Sequence, residues 1–191
     1  LESTRQAIKM QPNFANAYFN MGIIYRKLGK PKEAEDSIRR ALEINPNNAN
    51  AYNNLGKILK DLGQLSEAEE SVRKAIELKP DYDDAYANLG AILIILGDKQ
   101  EAEITLRKAT QISPNLANAH SNLGIILRDL GKLQEAEQSL RKALKIKPNF
   151  ANAYSNLGII LRDLGKLPEA EESIRKAIKL EPNCFDAHNN L

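Results

Sequence analysis

Six asparagines recur 34 residues apart, at positions 20, 54, 88, 122, 156 and 190. A carboxamide carries N–H donors and a carbonyl acceptor on one planar group, so it can pair with both halves of a peptide bond whatever side chains flank that bond. Asparagine is also a mediocre helix former, and it costs free energy when buried unpaired. Its recurrence inside stretches such as ANAYSNLG (151–158) therefore needs a chemical reason. Two readings are open: the amides grip an extended peptide backbone in a groove, or they bridge adjacent helices and set the twist between them.

The elements that position these amides follow from the same period. Prolines stand at 12, 46, 80, 114, 148 and 182, and glycines at 22, 56, 90, 124 and 158 and again at 29, 63, 97, 131 and 165. Alanines 34, 68, 102, 136 and 170, and 41, 75, 109, 143 and 177, keep the same step. Such regularity marks a stacked-repeat architecture. In 151–184 the pattern predicts a first helix from Asn152 to Leu164, stopped at Gly165 by a left-handed cap. A second helix is predicted from Pro168 to Leu180, ending before Pro182. Glu171–Arg175 and Glu172–Lys176 are i,i+4 pairs on a solvated face. Tyr154, Leu157, Leu161 and Leu164 share one face of the first helix, while Gly158, Ala170 and Ala177 are small where two helices should meet. One helix pair cannot cover this apolar surface alone, so neighbouring units must stack.

An aromatic residue or His, then Leu-Gly, two alanines on the second helix and a closing Pro resemble the tetratricopeptide repeat family over the whole chain. The resemblance implies an all-α, right-handed superhelical solenoid of antiparallel helix pairs, with the first helices on the concave side. Complete units are then 15–48, 49–82, 83–116, 117–150 and 151–184. Residues 1–14 read as a partial second helix, and 185–191 as the start of a further unit. With both ends unfinished, the chain reads as a piece of a longer array able to associate end to end.

On a helical wheel Asn152, Asn156, Ile159 and Asp163 fall together, opposite the Tyr154/Leu161 face. This stripe is expected to line the groove, with Asn20, Asn54, Asn88, Asn122 and Asn156 as rungs. The array is similar to the asparagine-ladder repeat arm of O-linked N-acetylglucosamine transferases and to bacterial arrays joined to transferase domains. That resemblance implies peptide binding. Asn16, Asn50, Asn118 and Asn152 are expected to start helices. Three residues beyond each rung stand Ile23, Lys57, Ala91, Ile125 and Ile159. In 83–116, Ile94 and Ile95 replace a basic–acidic pair, which suits a ligand pocket, an oligomer contact or burial against the next unit. The carboxylate clamp of chaperone-tail-binding repeats needs Lys at the fifth place of a unit; Phe19, Asn53, Ala87, Ser121 and Ser155 stand there, so the clamp is absent.

Bulk properties narrow the remaining classes. Of 191 residues, 42% are hydrophobic and only 5% aromatic, with no Trp, so the core must be aliphatic and alanine-rich. A net charge of +2 offers no basic stripe for nucleic acid. No apolar run reaches the length of a membrane span, and LESTRQAIKM has no leader-like h-region. Cys184 is the single cysteine, compatible with a cytoplasmic setting. His120 and His188 occupy the place held elsewhere by Tyr18, Tyr52, Tyr86 and Tyr154, as packing residues. No metal, cofactor or catalytic constellation is expected. The functional expectation is a scaffold that binds an extended segment of a protein partner, with a substrate-recruiting arm of a glycosyltransferase-like enzyme and a self-assembling array as alternatives.

Overall fold

The computed structural model describes residues 2–11 and 13–182, the side chain of Ala7 aside. Among them the structure has eleven helices and no strand. They are α1 (Glu2–Met10), α2 (Ala15–Lys27), α3 (Pro31–Ile44), α4 (Ala49–Asp61), α5 (Leu65–Leu78), α6 (Asp83–Leu96), α7 (Lys99–Ile112), α8 (Ala117–Asp129), α9 (Leu133–Ile146), α10 (Ala151–Asp163) and α11 (Leu167–Leu180). The beginning of a further unit expected at 185–191, with Cys184, His188 and Asn190, lies outside the described residues.

Each first helix ends one or two residues before a glycine that turns left-handed. Gly165 sits at φ +76. Its N–H reaches the Arg162 carbonyl at 2.9 Å, and the Lys166 N–H reaches Leu161 at 2.8 Å. These two bonds make a Schellman cap that satisfies carbonyls the helix leaves unpaired. The predicted helices 152–164 and 168–180 thus agree with α10 and α11 to within a residue, and Pro168 falls in the first turn of α11.

The chain divides into two compact units, Leu1–Leu96 and Gly97–Leu191. In the first, α2 packs on α3 and α4 on α5, and α3–α4 and α5–α6 contacts join successive pairs. In the second, α8 packs on α9 and α10 on α11, joined by α7–α8 and α9–α10. Where a first helix crosses its partner there is no room for a side chain. A Cβ built on Gly124 would lie 2.6 Å from Leu140 Cγ, and one on Gly22 would lie 2.6 Å from Ile38 Cδ1. Around these crossings the core is alanine and aliphatic, as composition required: Ala136, Leu140, Leu127 and Ala143 are fully buried in unit 2, and Ala68, Val72, Leu59 and Ala75 in unit 1.

The charged faces of the second helices are laced together from one repeat to the next. Arg141 joins Glu137 at 2.9 Å and Glu169 at 2.6 Å, while Lys166 adds a contact to Glu137 at 2.9 Å. Arg107 repeats this with Glu103 and Glu135, and Arg39 with Glu35 and Glu67. The expected pairs Glu171–Arg175 and Glu172–Lys176 form on a solvated face, at 2.6 Å and 2.7 Å; in the lacing between repeats, by contrast, the side chains of Glu103 and Glu137 are only 13% and 12% exposed. The hydrogen bond from Lys132 holds the Glu103 carboxyl below its ordinary value against the opposing effect of burial, and Arg107 adds to it.

His120 takes the aromatic place in α8 and is buried, its Nε2–H donating to the Pro114 carbonyl at 3.0 Å. Burial lowers its pKa, the carbonyl bond opposes this, and Lys142 adds to the lowering. The unfolded chain therefore binds the proton more readily than the folded one between about pH 6.5 and the lowered folded value. Stability is expected to fall as pH drops through that window. Urea midpoints measured between pH 7.5 and 5 should decline for the wild type, and the decline should be smaller in His120→Tyr.

Candidate functional site

The open stripe of the first helices follows from where the core is. In α10, Ala153, Leu157, Ile160 and Leu161 are buried, whereas Asn156 and Ile159 are half-buried and Asn152 and Asp163 exposed. In α8 the same grading gives half-buried Asn122 and Ile125, with exposed Asn118 and Asp129. In unit 1, Asn20 is exposed, and Ile23, Asn54, Lys57, Asn88 and Ala91 are half-buried. Each group lies on one open face, and α8 touches α10 directly, as α2 does α4 and α4 does α6.

The amides on these faces differ in what they already hold. Asn54 Nδ2 donates to the Asn50 carbonyl of its own helix at 2.8 Å. Asn88 Nδ2 donates to Asn53 Oδ1 at 2.7 Å, and Asn53 Nδ2 donates to the Tyr82 hydroxyl at 3.1 Å. Asn53 is 1% exposed, so its polar atoms are paired within the protein, as buried amides must be. This chain of bonds ties α4 to α6. Burial raises the Tyr82 pKa, the Asn53 bond lowers it, and Asp84 and Asp83 raise it further. Among the described residues, Asn20, Asn122 and Asn156 make no side-chain hydrogen bond, so their donors and acceptors face solvent.

The second asparagine set departs from expectation. Asn16, Asn50, Asn118 and Asn152 are the second residues of their helices, not caps, and the residues at the cap positions of α2, α8 and α10 are Phe14, Leu116 and Phe150. A cap residue with a side-chain acceptor can satisfy a first-turn N–H group that is otherwise left to water. Asn48 does so in α4, accepting from the Ala51 N–H at 3.1 Å.

The positions beyond the rungs are chemically uneven. Lys57 is the charged member of its set, and burial lowers its pKa. Ile94 is half-buried, while Ile95 is 57% exposed and Leu96 37%; Ile95 is therefore not buried against a neighbour. Arg26 reaches Asp61 at 3.0 Å, pairing the place before the end of α2 with the acidic residue that ends α4, whereas Arg128 pairs with Asp129 of its own helix. Among the described residues no group of three His, Cys, Asp or Glu side chains is placed to hold a metal ion, and no helix is long and apolar enough to cross a membrane.

Comparison with known proteins gives the arrangement its family. Family models described as "Tetratricopeptide repeat" match residues 15–48, 117–150 and 151–184, 38–70 and 83–116, and one described as "TPR repeat" matches 56–97. No curated protein matches the chain. Among solved structures, YrrB, described as a TPR protein with an unusual peptide-binding site, is similar at 24% identity, with 97% of this chain and 96% of that one covered and a TM-score of 0.70. A thermophilic TPR protein of Thermus thermophilus is similar at 25% identity, covering 92% and 95%, with a TM-score of 0.78. The APC/C hetero-tetramer Cut9–Hcn1 gives a TM-score of 0.92 at 19% identity, covering 98% of this chain and 38% of that one. The matched repeats run without a gap from residue 15 to 184, and the chain belongs to the tetratricopeptide repeat family.

Proposed function

We propose that the open faces of the first helices bind an extended peptide segment of a protein partner through their carboxamides. The chain is a protein-interaction scaffold, and the finer reading assigns the contact residues: Asn20, Asn54 and Asn88 in unit 1, and Asn122 and Asn156 in unit 2. The observation that carries it is the free state of the Asn122 and Asn156 amides on the open faces of two touching helices. Asn54 and Asn88 each spend one N–H inside the protein and keep a carbonyl oxygen for a ligand. The description of YrrB as a protein with a peptide-binding site supports the same reading.

Adjacent helices pack roughly 8–10 Å apart, and an extended chain advances about 3.3 Å per residue. One rung therefore meets about every third ligand residue. Each rung contributes about 0.5–1.5 kcal/mol net, so binding depends on several rungs and is indifferent to most side chains.

The test uses capped nine-residue peptides of random sequence, retained on the immobilised full chain. Asn122→Ala with Asn156→Ala should lower retention about tenfold, equivalent to about 1.4 kcal/mol, while the helical circular dichroism is unchanged. Unchanged retention would contradict the proposal. In a separate measurement, Asn53→Ala should lower unfolding stability by about 1–3 kcal/mol because it strips partners from half-buried Asn88 and Tyr82. Asn122→Ala should stay within about 0.5 kcal/mol of wild type; a loss as large as that of Asn53→Ala would make Asn122 a structural bridge instead.

A further inference from the structure

The open face of unit 1 carries a cation where the equivalent places carry aliphatic side chains. Lys57 lies three residues after Asn54 in α4, at the place of Ile23 in α2 and Ala91 in α6. Its side chain is half-buried, and among the described residues it makes neither an ion pair nor a hydrogen bond. Its nearest electrostatic neighbours do not neutralise it. Arg26 is committed to Asp61 at 3.0 Å, Lys60 repels it, and Asp84 attracts it from outside ion-pairing distance. Burial lowers the Lys57 pKa, which Asp84 opposes and Arg26 and Lys60 reinforce. A partly desolvated ammonium without an anion is unfavourable, and an incoming carboxylate relieves it.

The helix beside it offers a different surface. α6 touches α4 and presents Ala91 at the place of Lys57 and Ile95 at the place of Asp61. Ile95 is 57% exposed, and Ala91, one turn before it, is small and half-buried. The charged and apolar places are one helix spacing apart, roughly 8–10 Å, or about three residues of an extended chain.

Resting on the peptide-binding reading above, we propose that the face of unit 1 selects a segment with an acidic side chain over Lys57. An apolar side chain of the same segment, about three residues away, covers Ala91 and Ile95. Lys57 is then the residue that sets charge preference, while the amides hold the backbone regardless of sequence. Lys57 is half-buried, and Met carries a similar unbranched stem, so Lys57→Met removes the charge and keeps most of the apolar body of the side chain.

The test is an NMR titration of the full chain with capped peptides whose cores are Glu-Ala-Ala-Leu, Gln-Ala-Ala-Leu and Glu-Ala-Ala-Ser, each in both chain directions. In the better direction the Glu/Leu core should bind about tenfold tighter than the Gln core and several-fold tighter than the Ser core. Lys57→Met should erase the Glu-over-Gln preference and leave affinity for the Gln core unchanged. Equal affinity for the Glu and Gln cores, or a preference that survives in Lys57→Met, overturns the assignment of Lys57 and leaves the peptide-binding reading standing. Absence of shifts with every peptide overturns both.

Discussion

At Gly124 the backbone of α8 runs so close to α9 that the space for a methyl group is already filled by Leu140. The same missing side chain admits Ile38 at Gly22 and Ile174 at Gly158. This approach fixes the rotation of each first helix about its own axis. Once Gly124 faces α9, Asn118, Asn122, Ile125 and Asp129 lie roughly 100–160° around the helix from it, at 100° per residue. They point away from the partner helix, and their half-buried to exposed state follows. The open face is therefore a consequence of how one glycine packs, and any ligand chemistry on that face is inherited from it.

The asparagines on that face divide by their partners. Asn88 gives an N–H to the buried Asn53, in a network that ties α4 to α6 through Tyr82, and keeps its carbonyl oxygen. Asn122 and Asn156 stand without partners on α8 and α10. The difference traces to one residue per repeat. Where the fifth place is Asn53, the rung of the next repeat has an acceptor to bond; Ser121, buried at that place in α8 ahead of Asn156, forms no such bond. Bridging and ligand contact were posed as alternatives for the whole set, yet both uses are compatible within one repeat design. The second helices meanwhile carry charge lacing between successive repeats through Arg39, Arg107 and Arg141, and the first helices add the Arg26–Asp61 pair between α2 and α4.

What was legible in the sequence is what repeats. Gly165 and Pro182 mark helix ends because their conformational limits act locally and recur every 34 residues, and Pro168 adds a start signal in its own repeat. The inward face of α10 was readable for the same reason, since Leu157, Ile160 and Leu161 keep a helical period. Single substitutions within the period were not readable. Asn53 is the one asparagine among Phe19, Asn53, Ala87, Ser121 and Ser155, so the repeat pattern carries no trace of its network. The Arg141–Glu169 bridge spans 28 residues, and only a three-dimensional stack brings those charges together; its recurrence at Arg39–Glu67 and Arg107–Glu135 was a signal available at that spacing. Asn152, expected as the first residue of its helix, is the second, because α10 starts one residue earlier at Ala151.

The close approach at the glycine is tested most directly by a double-mutant cycle between Gly124 and Leu140 in urea unfolding. The nearest atoms to the added methyl all belong to Leu140, so the two substitutions report on one contact. Gly124→Ala alone is expected to destabilise by about 1–3 kcal/mol through overpacking, and Leu140→Ala alone by about 2–5 kcal/mol through the cavity it leaves. Together they should be less destabilising than their sum by about 1 kcal/mol or more, because the truncated side chain makes room for the methyl group. Additivity within about 0.5 kcal/mol would show that Gly124 does not set the helix pair, and the orientation of the open face would need another cause.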